Sequence, residues 1–342
     1  MTKMMRSIQV DAFGPPSVMK LRQVPVPEPG AGQVRIQVAY VGMNPIDAMA
    51  RSGKVDFLPI KFPFTPGLEH TGIVEKIGPG VNEKWLGAGV ISRTDFGAYA
   101  DFSITMADNL LCLDRRIDLR TGAVYRGCSF TAWHALYKAG RLQPGETCLI
   151  HSAAGAIGIM ATQIAKTAGC EVVGLAGNAD KIAYARQFGA DHLFDYTVEG
   201  WEEKVTAVMG ERGVDVVVDG NGGANSEKNI DLLALNGRLV YIGATAGNYP
   251  QPIPVPLLIF KNVSVAGMNL APIEDPPDSE TDRLIIDSAA TGAWKIPITE
   301  EVELEDVVGL HTRLEERQIM GRAVVRVGGA LIGETFDGHQ RQ

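Results

Sequence analysis

From Gly122 onward, short apolar runs alternate with longer stretches in which apolar residues recur at helical spacing. The runs are TCLIHSA (147–153), EVVGLAG (171–177), HLFDY (192–196), VDVVVDG (214–220) and GRLVYIG (237–243). They are rich in Val, Ile and Leu and almost unbroken by charge, which predicts strands covered on both faces. Residues 156–168, 179–188, 199–210 and 224–234 separate them and predict helices. The alternation predicts an α/β, doubly wound parallel sheet. YPQPIPVP (249–256) reads as a loop, and KNVSVAGM (261–268) predicts a sixth strand.

The pattern before Gly122 is different. VRIQVAYVG (34–42) and TGIVEKIG (71–78) predict strands, and Pro25, Pro27, Pro29, Pro59, Pro63 and Pro66 exclude long helices. After residue 268 the character is mixed, with a helix predicted in SETDRLIIDSAATG, then EVELEDVVGLHTRLEERQ and a strand RAVVRV. The chain thus divides into a β-rich domain (1–122), a sheet domain (123–268) and a tail (269–342) expected to return to the first domain.

Composition narrows the class without changing the fold. The 342 residues are 45% hydrophobic and 21% charged, with a formal net charge of −8 and no block of like charge. Such an acidic chain is not expected to bind nucleic acid or an anionic membrane. Lys3 and Arg6 are followed by no apolar h-region, so no signal peptide is expected, and no run reaches a membrane span. Cys112, Cys128, Cys148 and Cys170 are widely spaced with no C-x-x-C, as expected of reduced thiols in a cytoplasmic protein.

The candidate chemistry begins at LIHSAAGAIG, where a strand runs into a small-residue turn and a helix. The turn reads as a dinucleotide-binding loop, with Ala153 in place of the first glycine of G-x-G-x-x-G. Gly155 lets the backbone approach a pyrophosphate, and Gly158 allows close packing of helix on strand. Ser152, Ala156 and Ile157 complete the turn and bring free N–H groups to the phosphates. At the end of the next strand an NAD site usually carries an acidic residue for the ribose 2′-OH. Here Gly177 and Asn178 stand instead, with Lys181 one turn further on and Tyr196 after the following strand. This set favours the 2′-phosphate of NADPH; Asp180 in the same turn is the competing acceptor for an NAD ribose.

GMNPIDAMARSG (42–53), PGLEHTGIVEKIGPGV (66–81), SAAGAIG (152–158) and GNADK (177–181), in that order, resemble the medium-chain dehydrogenase/reductase superfamily. More narrowly, the chain resembles its zinc-free NADPH:quinone oxidoreductase branch, the zeta-crystallin-like proteins. The resemblance implies a Rossmann sheet domain with a β-rich, GroES-like catalytic domain. It also implies a homodimer, which an unpaired edge at the NVSVAGM strand would permit. Asn44 stands where the zinc enzymes carry a cysteine ligand, and Leu68 stands between Gly67 and Glu69, leaving His70 one place late. No metal is therefore expected, and His70, His134, His151, His192 and His311 are read as packing or hydrogen-bonding residues.

Without a Lewis acid, alcohol oxidation is difficult, whereas quinones and α,β-unsaturated carbonyls spread the developing charge themselves. The resemblance places Asn44, Ile46 and Asp47 beside the nicotinamide, with Thr131 and His134 on the helix FTAWHALYKAG. It places Asn221, Gly243, Ala244 and Thr245 along the ribose, and Met268, Asn269, Leu270 and Arg322 around the carboxamide. Asn44 is the expected catalytic contact, and Asp47 bracing a turn or Arg322 in a surface ion pair are the competing readings. The expected activity is NADPH-dependent reduction of small quinones or enones. An enoyl-thioester reductase and a non-catalytic, crystallin-like NADPH-binding protein are the alternatives.

Overall fold

The computed structural model describes residues 2–55, 59–93, 96–245, 253–270 and 279–328. They fall into two compact units, the first comprising the described parts of 1–126, 277–286 and 298–342, the second those of 127–276 and 287–297.

The first unit opens with β1 (Met4–Gln9) and β2 (Lys20–Pro25), an antiparallel pair. There follow β3 (Gln33–Gly42), α1 (Pro45–Ser52), β4 (Glu69–Ile77), β5 (Gly89–Arg93), β6 (Phe102–Met106) and β7 (Leu110–Cys112). α2 (Leu119–Trp133) leads into the second unit. There the chain runs through β8 (Thr147–Ile150), α3 (Ala156–Thr167), β9 (Glu171–Ala176), α4 (Ala179–Ala185), β10 (His192–Asp195) and α5 (Trp201–Met209). It continues through β11 (Val214–Asp219), α6 (Ser226–Leu232), β12 (Leu233–Tyr241), α7 (Val255–Lys261) and β13 (Ser264–Gly267). The last elements are α8 (Glu280–Thr291), β14 (Ile298–Glu303), α9 (Val307–Glu315) and β15 (Arg322–Arg326).

The six strands of the second unit form a parallel sheet in the order β10-β9-β8-β11-β12-β13. This is the doubly wound order, and it reverses between β8 and β11. Both of those strands are buried along their whole length, which is why their sequences are mostly apolar, with Asp215 of β11 accepting from Thr147 of β8. Leu149, Val173, Leu175, Val217 and Leu239 form the core with Trp201, Val205 and Ile230 of the covering helices.

The larger sheet of the first unit runs β14-β15-β3-β4-β5-β7, with β6 also paired to β3. β3 is therefore flanked by β15 from the end of the chain and by β4. Its core gathers Val38, Val41 and Tyr99 with Leu304, Leu310, Ala323 and Val325.

Two expectations need correction. Residues 255 and 256, read as loop, begin helix α7; Pro254 and Pro256 sit at its N-cap and first turn, where a proline has no hydrogen bond to lose. Residues 249–252 of that stretch lie outside the described residues. The tail does not return whole to the first unit either. The division passes through α8, and residues 287–297 group with the second unit, where Trp294 Nε1 donates to Thr167 Oγ1 at 3.1 Å. No helix among the described residues is long and apolar enough to cross a membrane.

Candidate functional site

In the second unit, the residues read as cofactor-binding collect at the carboxyl ends of the parallel strands. Here an open α/β sheet leaves a crevice at its switch point. β8 ends in His151 and Ser152. Ser152, not Ala153, takes up the left-handed conformation of the tight turn, at φ 52°. Ala153 has no positive φ and packs in a small apolar cluster with Ala154 and Ala185, so this position does not require glycine.

Gly155 is the N-cap of α3 and has no side chain to occupy the first-turn N–H groups of Ala156, Ile157 and Gly158. A Cβ at Gly155 would meet only Ser152, at 3.2 Å from its carbonyl oxygen. A Cβ at Gly158 would stand 2.3 Å from the Ser152 oxygen and 2.9 Å from Ala153 Cα, so that glycine sets the approach of α3 to β8.

Across the switch point, Asn221 follows β11. Ser152 Oγ donates to its Oδ1 at 3.1 Å and Thr245 Oγ1 donates to the same oxygen at 3.0 Å. Two hydroxyl donors on one oxygen fix which end of the amide is oxygen and which is Nδ2. A buried layer beneath holds this turn. Asp219 Oδ1 accepts from the backbone N–H groups of Asn221 and Gly222, at 2.7 and 3.1 Å. Asp219 Oδ2 accepts from Asn229 Nδ2 at 3.0 Å, and Asn229 Oδ1 lies 2.7 Å from His151 Nε2, which therefore carries the proton. Sequence reading missed Asp219 and Asn229. An Asp closing the strand VDVVVD after three valines was the available signal.

At the end of β9 the Asn178 N-cap forms as its residue type predicts. Asn178 Oδ1 accepts from the Lys181 backbone N–H at 2.9 Å, capping α4. Gly177 faces Tyr196, whose hydroxyl a Cβ there would approach to 3.1 Å. Lys181 and Tyr196 are half-buried, and Asn178 and Asp180 are exposed. Gly243, Ala244 and Thr245 follow β12, and Met268 to Leu270 follow β13, where the Met268 N–H donates to the Tyr241 carbonyl. Thr131 lies in α2. His134 is buried and begins a turn of π-helix, His134–Ala139, a form often found at functional sites.

In the first unit, Asn44 stands between β3 and α1, with Pro45 at the first helical position. Asp47 is completely buried in α1. Its Oδ2 accepts from the Asn44 N–H at 2.9 Å and its Oδ1 from the Gly67 N–H at 3.1 Å. Asp47 thus does brace a turn. Burial pushes its carboxyl up to about 7, against the pull of those two N–H groups and the Arg322 charge. Ile46 is half-buried beside it.

Arg322, read as a pocket residue or a surface ion pair, is not at the surface. It is 4% exposed, donates from Nη1 to Asn44 Oδ1 at 2.9 Å and from Nη2 to Glu69 Oε2 at 3.0 Å. His70 is buried with Nε2 2.6 Å from Ser103 Oγ, and burial lowers its pKa to about 4. Glu69 was absent from the residues singled out by sequence.

Residues 30–115 match the alcohol dehydrogenase GroES-like domain and residues 156–282 the zinc-binding dehydrogenase family. The chain is 33% identical over 270 residues to the quinone oxidoreductase of Rattus norvegicus, covering 78% of this chain and 81% of that protein. It is 27% identical over 331 residues to the 2-haloacrylate reductase of a Burkholderia species, covering 91% and 96%. Among solved structures, the quinone oxidoreductase of Escherichia coli complexed with NADPH superposes with a TM-score of 0.88 at 27% identity, covering 94% of this chain and 99% of that one.

Proposed function

The chain belongs to the quinone oxidoreductase, or zeta-crystallin-like, branch of the medium-chain dehydrogenase/reductase superfamily, and from that premise we propose that it reduces quinones or α,β-unsaturated carbonyl compounds with NADPH and without a metal. The observation that carries the reading is the glycine-led N-terminus of α3, uncapped by any side chain, at the sheet's switch point. A dinucleotide pyrophosphate fits there, on the N–H groups that follow Gly155.

Ser152, Gly155, Ala156, Ile157 and Gly158 would hold that pyrophosphate. Asn221, held by two hydroxyls, would donate from Nδ2 along the ribose path that Gly243, Ala244 and Thr245 line. Lys181, Asn178 and Tyr196 would take the 2′-phosphate, a choice supported by the lack of a carboxylate at the end of β9. Thr131, His134, Met268, Asn269 and Leu270 of the second unit are assigned to the nicotinamide end, whereas Asp47, with both oxygens taken by backbone N–H groups, is assigned to bracing the turn beside Ile46. NADPH, when bound, supplies the hydride. Charge then develops on the substrate oxygen, and Asn44 Nδ2–H is the donor we assign to it.

Among the described residues β13 is the edge of the sheet, and α7, which precedes it, leaves Ile259 and Phe260 70% and 80% exposed. This apolar edge supports a homodimer.

The test is oxidation of NADPH and NADH, side by side, with 1,2-naphthoquinone and a simple enone. NADPH turnover with at least one acceptor is expected. A silent panel would leave a nucleotide-binding protein and end the enzyme reading. Lys181→Ala should raise the KM for NADPH about tenfold and that for NADH little, since a charged hydrogen bond contributes roughly 1.5–3 kcal/mol. Equal effects on both would reject the 2′-phosphate assignment.

A further inference from the structure

Arg322 has only donors, so the atom it meets on Asn44 is the amide oxygen and the amide cannot turn over. Asn44 Nδ2 then spends one N–H on the Gly42 carbonyl at 3.1 Å, and its other N–H has no acceptor among the described residues. We infer that Glu69 and Arg322 are positioning residues for Asn44, holding its amide so that this remaining N–H faces the substrate oxygen as a strengthened donor.

Three strands bring the groups together. β15 and β4 both pair with β3, Val324 opposite Gly42 and Gly42 opposite Glu69. Glu69, Arg322 and Asn44 therefore share one end of the sheet. Gly42 keeps the passage open, because a Cβ there would press to 2.9 Å from Arg322 Nη2 and 2.2 Å from the Ala123 oxygen. The side chains of Arg322 and Glu69 are 5% and 6% exposed. A guanidinium so buried needs its counter-charge, and Glu69 supplies it. The cation draws electron density from the amide oxygen, which makes the N–H groups of the same amide better donors. The backbone of Asn44 is tied independently by Asp47. Held at both ends, the donor is aimed before substrate arrives, as stabilisation of a developing oxyanion requires.

The inference rests on the proposed reductase activity, and a thermodynamic cycle tests the two separately. kcat and KM are measured with NADPH and 1,2-naphthoquinone for the wild type, Asn44→Ala, Glu69→Gln and the double variant. Asn44→Ala should lower kcat about 100-fold. Glu69→Gln should lower it roughly tenfold by loss of alignment, with the KM for NADPH within about twofold. The double variant should be no slower than Asn44→Ala, because Glu69 acts only through Asn44. If Glu69→Gln does not fold, Glu69→Asp takes its place, keeping the charge but shortening its reach. Losses that multiply in the double variant would show a merely structural Glu69 and overturn the inference alone. A wild type inactive with every quinone and enone would overturn the activity and the inference together.

Discussion

Asp47 illustrates how far a single buried group departs from its sequence-level description. The folded carboxyl titrates near 7 and the unfolded one near 3.8. Protonation is therefore favoured in the folded state. Its contribution to stability is complete below about pH 4 and is lost as pH rises to about 7, on the order of 4 kcal/mol across the range. Urea unfolding of the wild type and Asp47→Asn between pH 5 and 8 should show the wild type losing stability relative to the variant up to about pH 7, then running parallel. Parallel curves throughout would place the pKa elsewhere. The glycine-led turn was legible because a strand running through small residues into a helix is a local pattern. Even there, spacing put the tight-turn position at Ala153, and the left-handed residue of the turn is Ser152. Glu69 was illegible for a plainer reason. Its partner Arg322 is 253 residues away, and no local pattern records such a pair.

Among the elements, the strands of the parallel sheet were the most legible, because burial on both faces writes an apolar run into each. β2 was not, since nearly all of its residues are exposed and it shows no alternation to read. α7 was hidden by its own prolines. The contact between β8 and α3 gives an element-scale prediction. Gly158→Ala would drive a Cβ into the backbone of Ser152 and Ala153 and should cost about 1–3 kcal/mol in denaturant unfolding. Ala153→Gly, restoring the conventional fingerprint, should stabilise nothing and cost about 0.4–1 kcal/mol through a freer unfolded chain. A gain in stability for Ala153→Gly would mean that position 153 is strained after all.

At the scale of the whole molecule, sequence implied two units and a tail returning to the first, and residues 287–297 depart from that by grouping with the second. Apolar periodicity marks α8 as a helix but does not say which core each of its turns joins. The proposed dimer belongs to this scale too. Equilibrium sedimentation at micromolar concentration should give twice the chain mass for the wild type and the single chain mass for Phe260→Glu, which puts a charge on the most exposed aromatic of α7. A monomeric wild type would remove the β13 edge as an interface.

The partnership of Asn44 with Arg322 spans 278 residues, and β15 is the last strand of its sheet to be synthesised. Proteins are made from the N-terminus at roughly 5–20 residues per second. For tens of seconds the ribosome therefore carries a chain whose Asn44 loop has already been translated but whose guanidinium has not. The β8-to-α3 loop emerges in that interval, so the glycine-led turn can form before the Asn44 amide gains its guanidinium partner. A chain that stops between α3 and β15 retains the glycine loop and lacks the arginine that bonds the Asn44 amide oxygen.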